Sequence, residues 1–228
     1  MNIRPIAYIR TDFPEKFGVP RQSGLAKSLT GRIIFEKEYR TPDALRGLEE
    51  FSHLWLIWEF SENRGAAKEW NPMVRPPRLG GNKSMGVFAT RSPFRPNPIG
   101  LSCVKLVSID HSSSDAPAIV VAGADLVDGT PIYDIKPYIK YSDSYPDAVC
   151  GYVDKLAESS LEVAFPDRLK AIINDDSITN SLIEVLQLDP RPSYHSDSNR
   201  EYGVSFAGYN IRFKVNDNCL EVVGVSLL

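Results

Sequence analysis

A chain of 228 residues, 43% of them hydrophobic, is long enough for one large domain or for a domain with a smaller appendage. Its net charge of −3 does not announce a nucleic-acid partner, and its longest apolar runs are too short and too interrupted by charge to span a membrane. Three widely spaced cysteines (Cys103, Cys150, Cys219) without a CxxC pair argue against a disulfide framework, and His53, His111 and His195 share no metal-ligand spacing, so no metal is expected.

The opening MNIRPIAYIRTDF lacks the apolar core of a signal peptide, and a cytoplasmic location is the expectation. Up to Cys150 the elements read as short strands: Ile6 to Ile9, Gly31 to Phe35, Phe51 to Phe60, Met85 to Ala89, Ser102 to Ile109, Ala118 to Ala124 and Ile132 to Lys136. The third is the clearest. Leu54, Leu56, Trp58 and Phe60 alternate with His53, Trp55, Ile57 and Glu59, and both faces are largely apolar, which predicts a central strand and a core position for His53. TPDA at Thr41 predicts a short helix to Leu48, with Thr41 as N-cap and Pro42 at its first position. Many short strands with Gly/Pro-rich turns suggest a barrel or a sandwich. No GxGxxG opens a helix after a strand, so a Rossmann site is not supported.

Between the third and fourth strands lies Ser61 to Ser84, with weak periodicity and GG and PP pairs. Long loops in compact domains are usually functional or disordered, and Trp70, Met73, Val74 and Leu79 predict that this one packs. From Ser61 to Asn97 seven basic residues (Arg64, Lys68, Arg75, Arg78, Lys83, Arg91, Arg95) face only Glu62 and Glu69. That window is a local anion-attracting surface on an otherwise acidic chain. Inside it, RSPFRPNP places two guanidinium forks on a loop stiffened by Pro93, Pro96 and Pro98, which suits the holding of carboxylate or phosphate.

After Gly151 the pattern changes. Pro166 to Asn174 and Ser177 to Leu188 read as helices, Val204 to Phe206 as a strand, and Tyr209 to Val215 and Leu220 to Val225 as a hairpin turning on Asn216-Asp217-Asn218. The expectation is a mainly β protein with an α+β appendage: residues 1–150 as the cofactor-binding catalytic domain and residues 151–228 as a small α+β C-terminal domain with its own apolar cluster.

Four polar motifs sit at strand ends or in loops: KFGVPRQ at Lys16, RSPFRPNP at Arg91, DLVDGTP running into DIKPY at Asp125, and DPRPSY at Asp189. Asp-Gly-Thr-Pro and Pro-Arg-Gln taken alone are ordinary turn sequences. In order, PRQ, FSHLW, RPPRLGG, MGVFATRSPFRPNPIGLS, DLVDGTPIYDIKPY and DPRPSY resemble the TsaA-like tRNA methyltransferases, over nearly the whole chain from about Pro5.

That resemblance implies a small S-adenosylmethionine-binding β-barrel working as a homodimer. It implies methylation of N6 of threonylcarbamoyladenosine next to the anticodon, at tRNA position 37, with the tRNA anticodon loop as partner. By the same resemblance the cofactor meets Pro20, Arg21, Gln22, His53, Leu54, Arg91, Leu101 and the loop Leu126, Val127, Asp128, Gly129 and Thr130. Arg91 is the candidate for the methionine carboxylate. Asp128 and Asp134 are the candidates for a base, because N6 of a urea-like adenine must lose a proton to be methylated. Arg75, Arg78, Lys83, Arg95, Lys136, Tyr138, Arg191 and Tyr194 are the candidates for RNA, arginines for phosphates or the threonyl carboxylate and tyrosines for stacking. The competing class is a non-catalytic RNA-binding or S-adenosylmethionine-sensing barrel built on the same basic loop.

Overall fold

In the computed structural model, residues 2–63, 70–79, 83–155, 160–191 and 197–228 are described. Six strands close into a barrel. In chain order they are β1 (Ala7–Arg10), β2 (Thr30–Phe35), β3 (His53–Glu59), β6 (Ile99–Asp110), β7 (Ala118–Ala122) and β8 (Thr130–Pro137). Their order around the barrel is β1-β2-β7-β6-β3-β8, every neighbouring pair antiparallel. Closure leaves no unpaired sheet edge.

Alternation drives the closure. On β3 Leu54, Leu56 and Trp58 point inward and are buried, joined by Ala7, Ile9, Ile33, Val104, Val121 and Ile132 from other strands. The outward face of β3 is only half-buried at Trp55 and Ile57, and His53 at its start is exposed, not in the core. Gly100 on β6 lies under the Trp58 ring: a Cβ there would fall 2.3 Å from it.

Between the barrel strands the expectations need correction. Met85 to Ala89 does not continue as a strand. Only β5 (Met85–Gly86) pairs, with the equally short β4 (Met73–Val74), and the chain then winds into a 3-10 turn at Val87–Ala89. Beyond Met73 the partner is Pro72, whose carbonyl accepts the Val87 amide (2.8 Å) but which has no N–H to return, so the ladder ends. The predicted helix after Thr41 is two separate 3-10 turns, Pro42–Leu45 and Leu48–Glu50, broken at Gly47, and the Thr41 side chain caps neither. Trp70 and Met73 do not pack inward: they are about half exposed, while Val74 and Leu79 are half-buried.

After a single turn of helix α1 (Lys140–Asp143), the C-terminal part forms a second sheet, β10 (Tyr202–Phe206), β11 (Tyr209–Asn216), β12 (Cys219–Leu227) and β9 (Glu162–Ala164), in that order. The hairpin turns at Asp217 as expected, and the parallel edge strand β9 is an addition. Helices α2 (Asp167–Ile173) and α3 (Asp176–Gln187) accompany the sheet, α3 capped by Asp175 accepting from the Ser177 and Ile178 amides.

This second core is not purely C-terminal. Phe13, Ala26 and Leu29, from the long β1–β2 connection, are buried in it, and the Phe13 and Phe206 rings meet edge to face at 5.1 Å. The same connection bonds Ser28 N–H to Glu184 (2.9 Å), and the Ala207 amide donates to the Asp12 carbonyl (2.9 Å). A loop that joins two barrel strands therefore packs its apolar residues into the C-terminal core.

Candidate active site

The β1–β2 connection, the end of β3, the start of β6, the Arg91 loop and the β7–β8 turn meet at one rim of the barrel around a cleft of about 240 Å³. Of the expected cofactor residues, Pro20, Arg21, Gln22, Arg91, Leu101, Leu126, Val127 and Thr130 line it. These come from four segments far apart in sequence. Apolar walls are supplied by Trp58, Leu101 and Leu126, and polar ones by Glu59, Glu62 and Asp125 with Lys16, Arg21 and Arg91.

Each wall is held by local chemistry. Lys16 reaches across to the Glu62 carbonyl (2.7 Å), closing the β1–β2 loop onto the end of β3. Gly129, at φ +74, donates its amide to Ile9 (2.8 Å), and Asp128 donates its own to Phe13, so the β7–β8 turn is sewn to β1. The Arg91 guanidinium donates to the Gln22 side-chain oxygen, joining two segments of the site. Arg21 donates to the carbonyls of Asp189 (2.9 Å) and Arg191 (3.3 Å). Arg191 itself forks onto Asp189 through two bonds of 2.9 Å, which raises its pKa by hydrogen bonding. DPR is thus a rigid clamp that receives Arg21 from the cleft.

The other expected residues lie elsewhere. Leu54 is fully buried inside the barrel, and His53 stands on the far end of β3, six residues and about 20 Å from Glu59 at roughly 3.3 Å per residue. His53 contacts Ser52 and the Tyr138 ring. Neither lines the cleft. Asp128 accepts from the Thr11 amide (3.0 Å) and pairs with Arg10 (3.2 Å), while Asp134 pairs with Lys136 (2.8 Å). Both carboxylates are engaged outside the cleft.

The RNA candidates are spread out as well. Arg75 and Lys83 are exposed on the segment leading to the Arg91 loop. Arg95 turns back to brace that loop through the Thr90 carbonyl (3.2 Å). Lys136 and Tyr138 sit at the His53 end of the barrel. Tyr194, Arg64 and Lys68, with the side chain of Arg78, lie outside the described residues. A second, larger groove of about 680 Å³ adjoins the cleft and shares Arg21, Gln22 and Arg91 with it, continuing past Pro76, Phe88 and Tyr152.

Sequence reasoning passed over Trp58, Glu59 and Asp125. Asp125 opens the DLVDGTP motif, so the signal was present, but turn residues carry no periodicity to show which carboxylate faces inward. Trp58 Nε1 donates to Ser102 Oγ (2.9 Å), which donates to Asp125 Oδ1 (2.5 Å). Burial pushes the Asp125 carboxyl above the ordinary carboxylate range, against the opposing pull of the Ser102 hydroxyl, backbone amides and the nearby Arg91 charge. Glu59, also buried, accepts the Tyr133 hydroxyl.

Comparison with known proteins decides the family. Residues 8–144 match the model of the tRNA-methyltransferase O N-terminal domain, and residues 158–227 match the TrmO C-terminal domain. The chain belongs to the TrmO family. It is 42% identical over 224 residues to the tRNA (adenine(37)-N6)-methyltransferase of Escherichia coli K12, covering 95% of this chain and 94% of that one. It is 40% identical over 211 residues to RcsF of Pseudomonas aeruginosa, a putative S-adenosylmethionine-dependent methyltransferase, covering 89% and 87%. A crystal structure of TrmO from Pseudomonas aeruginosa superposes with a TM-score of 0.78 at 30% identity, over 99% of this chain and 98% of that one. The barrel with its α+β C-terminal part is therefore the TrmO architecture.

Proposed function

We propose that this TrmO-family chain transfers a methyl group from S-adenosylmethionine to N6 of threonylcarbamoyladenosine at position 37 of tRNA. The observation that carries the reading is the convergence of Pro20 to Gln22, Arg91, Leu101, Leu126, Val127 and Thr130 on one largely apolar cleft with charges of both signs. Family membership and the name of the Escherichia coli relative support the tRNA adenine-N6 activity.

The donor set suits the cofactor. Arg91 offers a planar fork for a carboxylate, Trp58, Leu101 and Leu126 offer an apolar wall for an adenine, and Glu59 and Glu62 favour a cation. S-adenosylmethionine supplies, when bound, an electrophilic methyl on sulfur. The protein supplies position: Arg91 and Gln22 face both the cleft and the larger groove, so they align what lies in one with what lies in the other. Correct alignment alone is worth about 7–11 kcal/mol of barrier in well-oriented systems. Asp128 organises the β7–β8 turn through Arg10 and Thr11.

The adjoining groove, with the exposed Phe88 ring and the guanidinium of Arg91 at its edge, suits an unstacked base of an anticodon loop. A homodimer in the cytoplasm completes the reading, and the exposed apolar side chains of Phe94, Ile99 and Val107 offer surface for a second copy. Sedimentation of the purified protein checks that state. The activity is tested by incubating the protein with S-adenosylmethionine with and without bulk tRNA. Release of S-adenosylhomocysteine that requires tRNA supports the enzyme. Cofactor binding with no release on any tRNA points to a sensing barrel.

A further inference from the structure

Among the described residues lining the cleft, three carboxylates are present: Glu59, Glu62 and Asp125. Their surroundings differ. Glu62 is exposed and solvated, and Glu59 receives the Tyr133 hydroxyl. Asp125 is held by a relay that starts from the Trp58 indole. An indole N–H can only donate. Ser102 Oγ therefore accepts from Trp58 and gives its own proton to Oδ1 of Asp125 when that carboxylate is ionised and can only accept. Ser102 is 1% exposed, so no bulk water competes for either bond. Oδ1 of the ionised carboxylate is thereby held as an acceptor by Ser102, and backbone amides of Ser23 and Asp125 add to that hold.

We propose that Asp125 is the catalytic proton acceptor of this site, taking the N6 proton of the substrate base as the methyl group is transferred. The assignment rests on the methyltransferase reading above. The N6–H bond breaks and its proton passes to Asp125. The nitrogen's electron pair forms the bond to the methyl carbon, and the methyl–sulfur bond breaks with its pair remaining on sulfur. A sulfonium, a carboxylate and a neutral N–H become a neutral thioether, a carboxylic acid and an N-methyl group, and charge balances. Burial favours this direction, because an enclosed carboxylate is a stronger base than a solvated one. The charged groups around the cleft are Lys16, Arg21, Arg91, Glu59 and Glu62, and Arg91 is the one that offsets the burial of Asp125.

Two readouts test it. The first needs no cofactor. In nitrogen-labelled protein the Trp58 indole N–H, two bonds from Asp125 through Ser102, is expected to shift in NMR with a midpoint above the ordinary carboxylate range. The shift disappears in Asp125→Asn. The Trp55 indole donates to Asp143 (2.9 Å), whose carboxyl is held below that range by the Ile139 amide and this indole, so it moves only at the acid end and serves as reference. The second readout is single-turnover methyl transfer. Asp125→Asn is expected to lose about 10²–10⁴-fold in rate, with binding of S-adenosylmethionine and S-adenosylhomocysteine unchanged. Ser102→Ala keeps the carboxylate but removes a bond to its charged form, and is expected to move the acid limb of the pH–rate profile upward.

A wild-type rate in folded Asp125→Asn overturns the assignment. So does a Trp58 signal that ignores pH, or an unmoved profile in Ser102→Ala. Loss of S-adenosylmethionine binding with S-adenosylhomocysteine binding intact also overturns it, by placing the carboxylate against the sulfonium. If wild-type protein methylates no tRNA, the methyltransferase reading itself falls, which is a different result from a wild-type enzyme indifferent to Asp125.

Discussion

Two of the charged side chains on the cleft, Arg91 and Asp125, carry opposite signs and different burial. Arg91 is exposed, bonded to Gln22 and shared between the cleft and the groove. A charge-assisted hydrogen bond contributes about 1.5–3 kcal/mol, so Arg91→Ala is expected to weaken S-adenosylmethionine binding about 10- to 100-fold by calorimetry; unchanged affinity would remove Arg91 from the cofactor. Asp125 has a folded-state pKa above its unfolded value. Its protonated form is thus the one the fold prefers, and stability falls as pH rises from the unfolded pKa through the folded one. Asp125→Asn keeps an acceptor for Ser102 and removes that loss. It is expected to melt above wild type at pH 7, with the difference closing as pH falls into the carboxylate range. A variant that melts lower at pH 7 would show that the relay stabilises the charge more than burial opposes it.

At the scale of elements, the β1–β2 connection couples the cleft to the C-terminal core. Gly18 is where it passes closest: its φ is +94, and a Cβ there would lie 2.4 Å from Val204 Cγ2. Gly18→Ala is expected to cost about 1–3 kcal/mol in chemical denaturation and to weaken cofactor binding, since Pro20 to Gln22 follow directly. A neutral substitution would show that the loop is free to shift. The strands were legible because period-2 alternation reports burial on a pleated sheet, and β2, β3 and β8 lie close to where alternation puts them. What alternation cannot show is whether a partner exists. Met85 to Ala89 is apolar enough for a strand, but its pairing with β4 stops at Gly86 opposite Met73. The site was legible in the same measure. PRQ, Arg91 and the Leu126 loop carry unusual residues and do converge, whereas choosing Asp125 over Asp128 depends on the direction of each carboxylate in a tight turn. His53 reads as a core residue because the run after it is apolar, but β3 begins with it at an exposed rim.

For the whole molecule, two cores are joined by the β1–β2 connection, which leaves the barrel to pack into the C-terminal cluster. Phe13, Ala26 and Leu29 are barrel-side residues buried in the C-terminal cluster, and Arg21 ends on the Asp189–Arg191 clamp. A chain cut after residue 150 would expose three apolar side chains and release Arg21. It is expected to be poorly soluble or, if soluble, to bind S-adenosylmethionine at least 10-fold more weakly than the full chain, as calorimetry on both would show. Full affinity in the isolated barrel would make the C-terminal part an independent appendage.

The account as a whole stands on a methyl group reaching one modified base. The measurement that tests it most directly is transfer from labelled S-adenosylmethionine to two tRNA pools, one carrying threonylcarbamoyladenosine and one lacking it. The account predicts label in the first pool only, recovered after digestion as an N6-methylated nucleoside. Label in both pools, or in neither while the cofactor still binds, would contradict it.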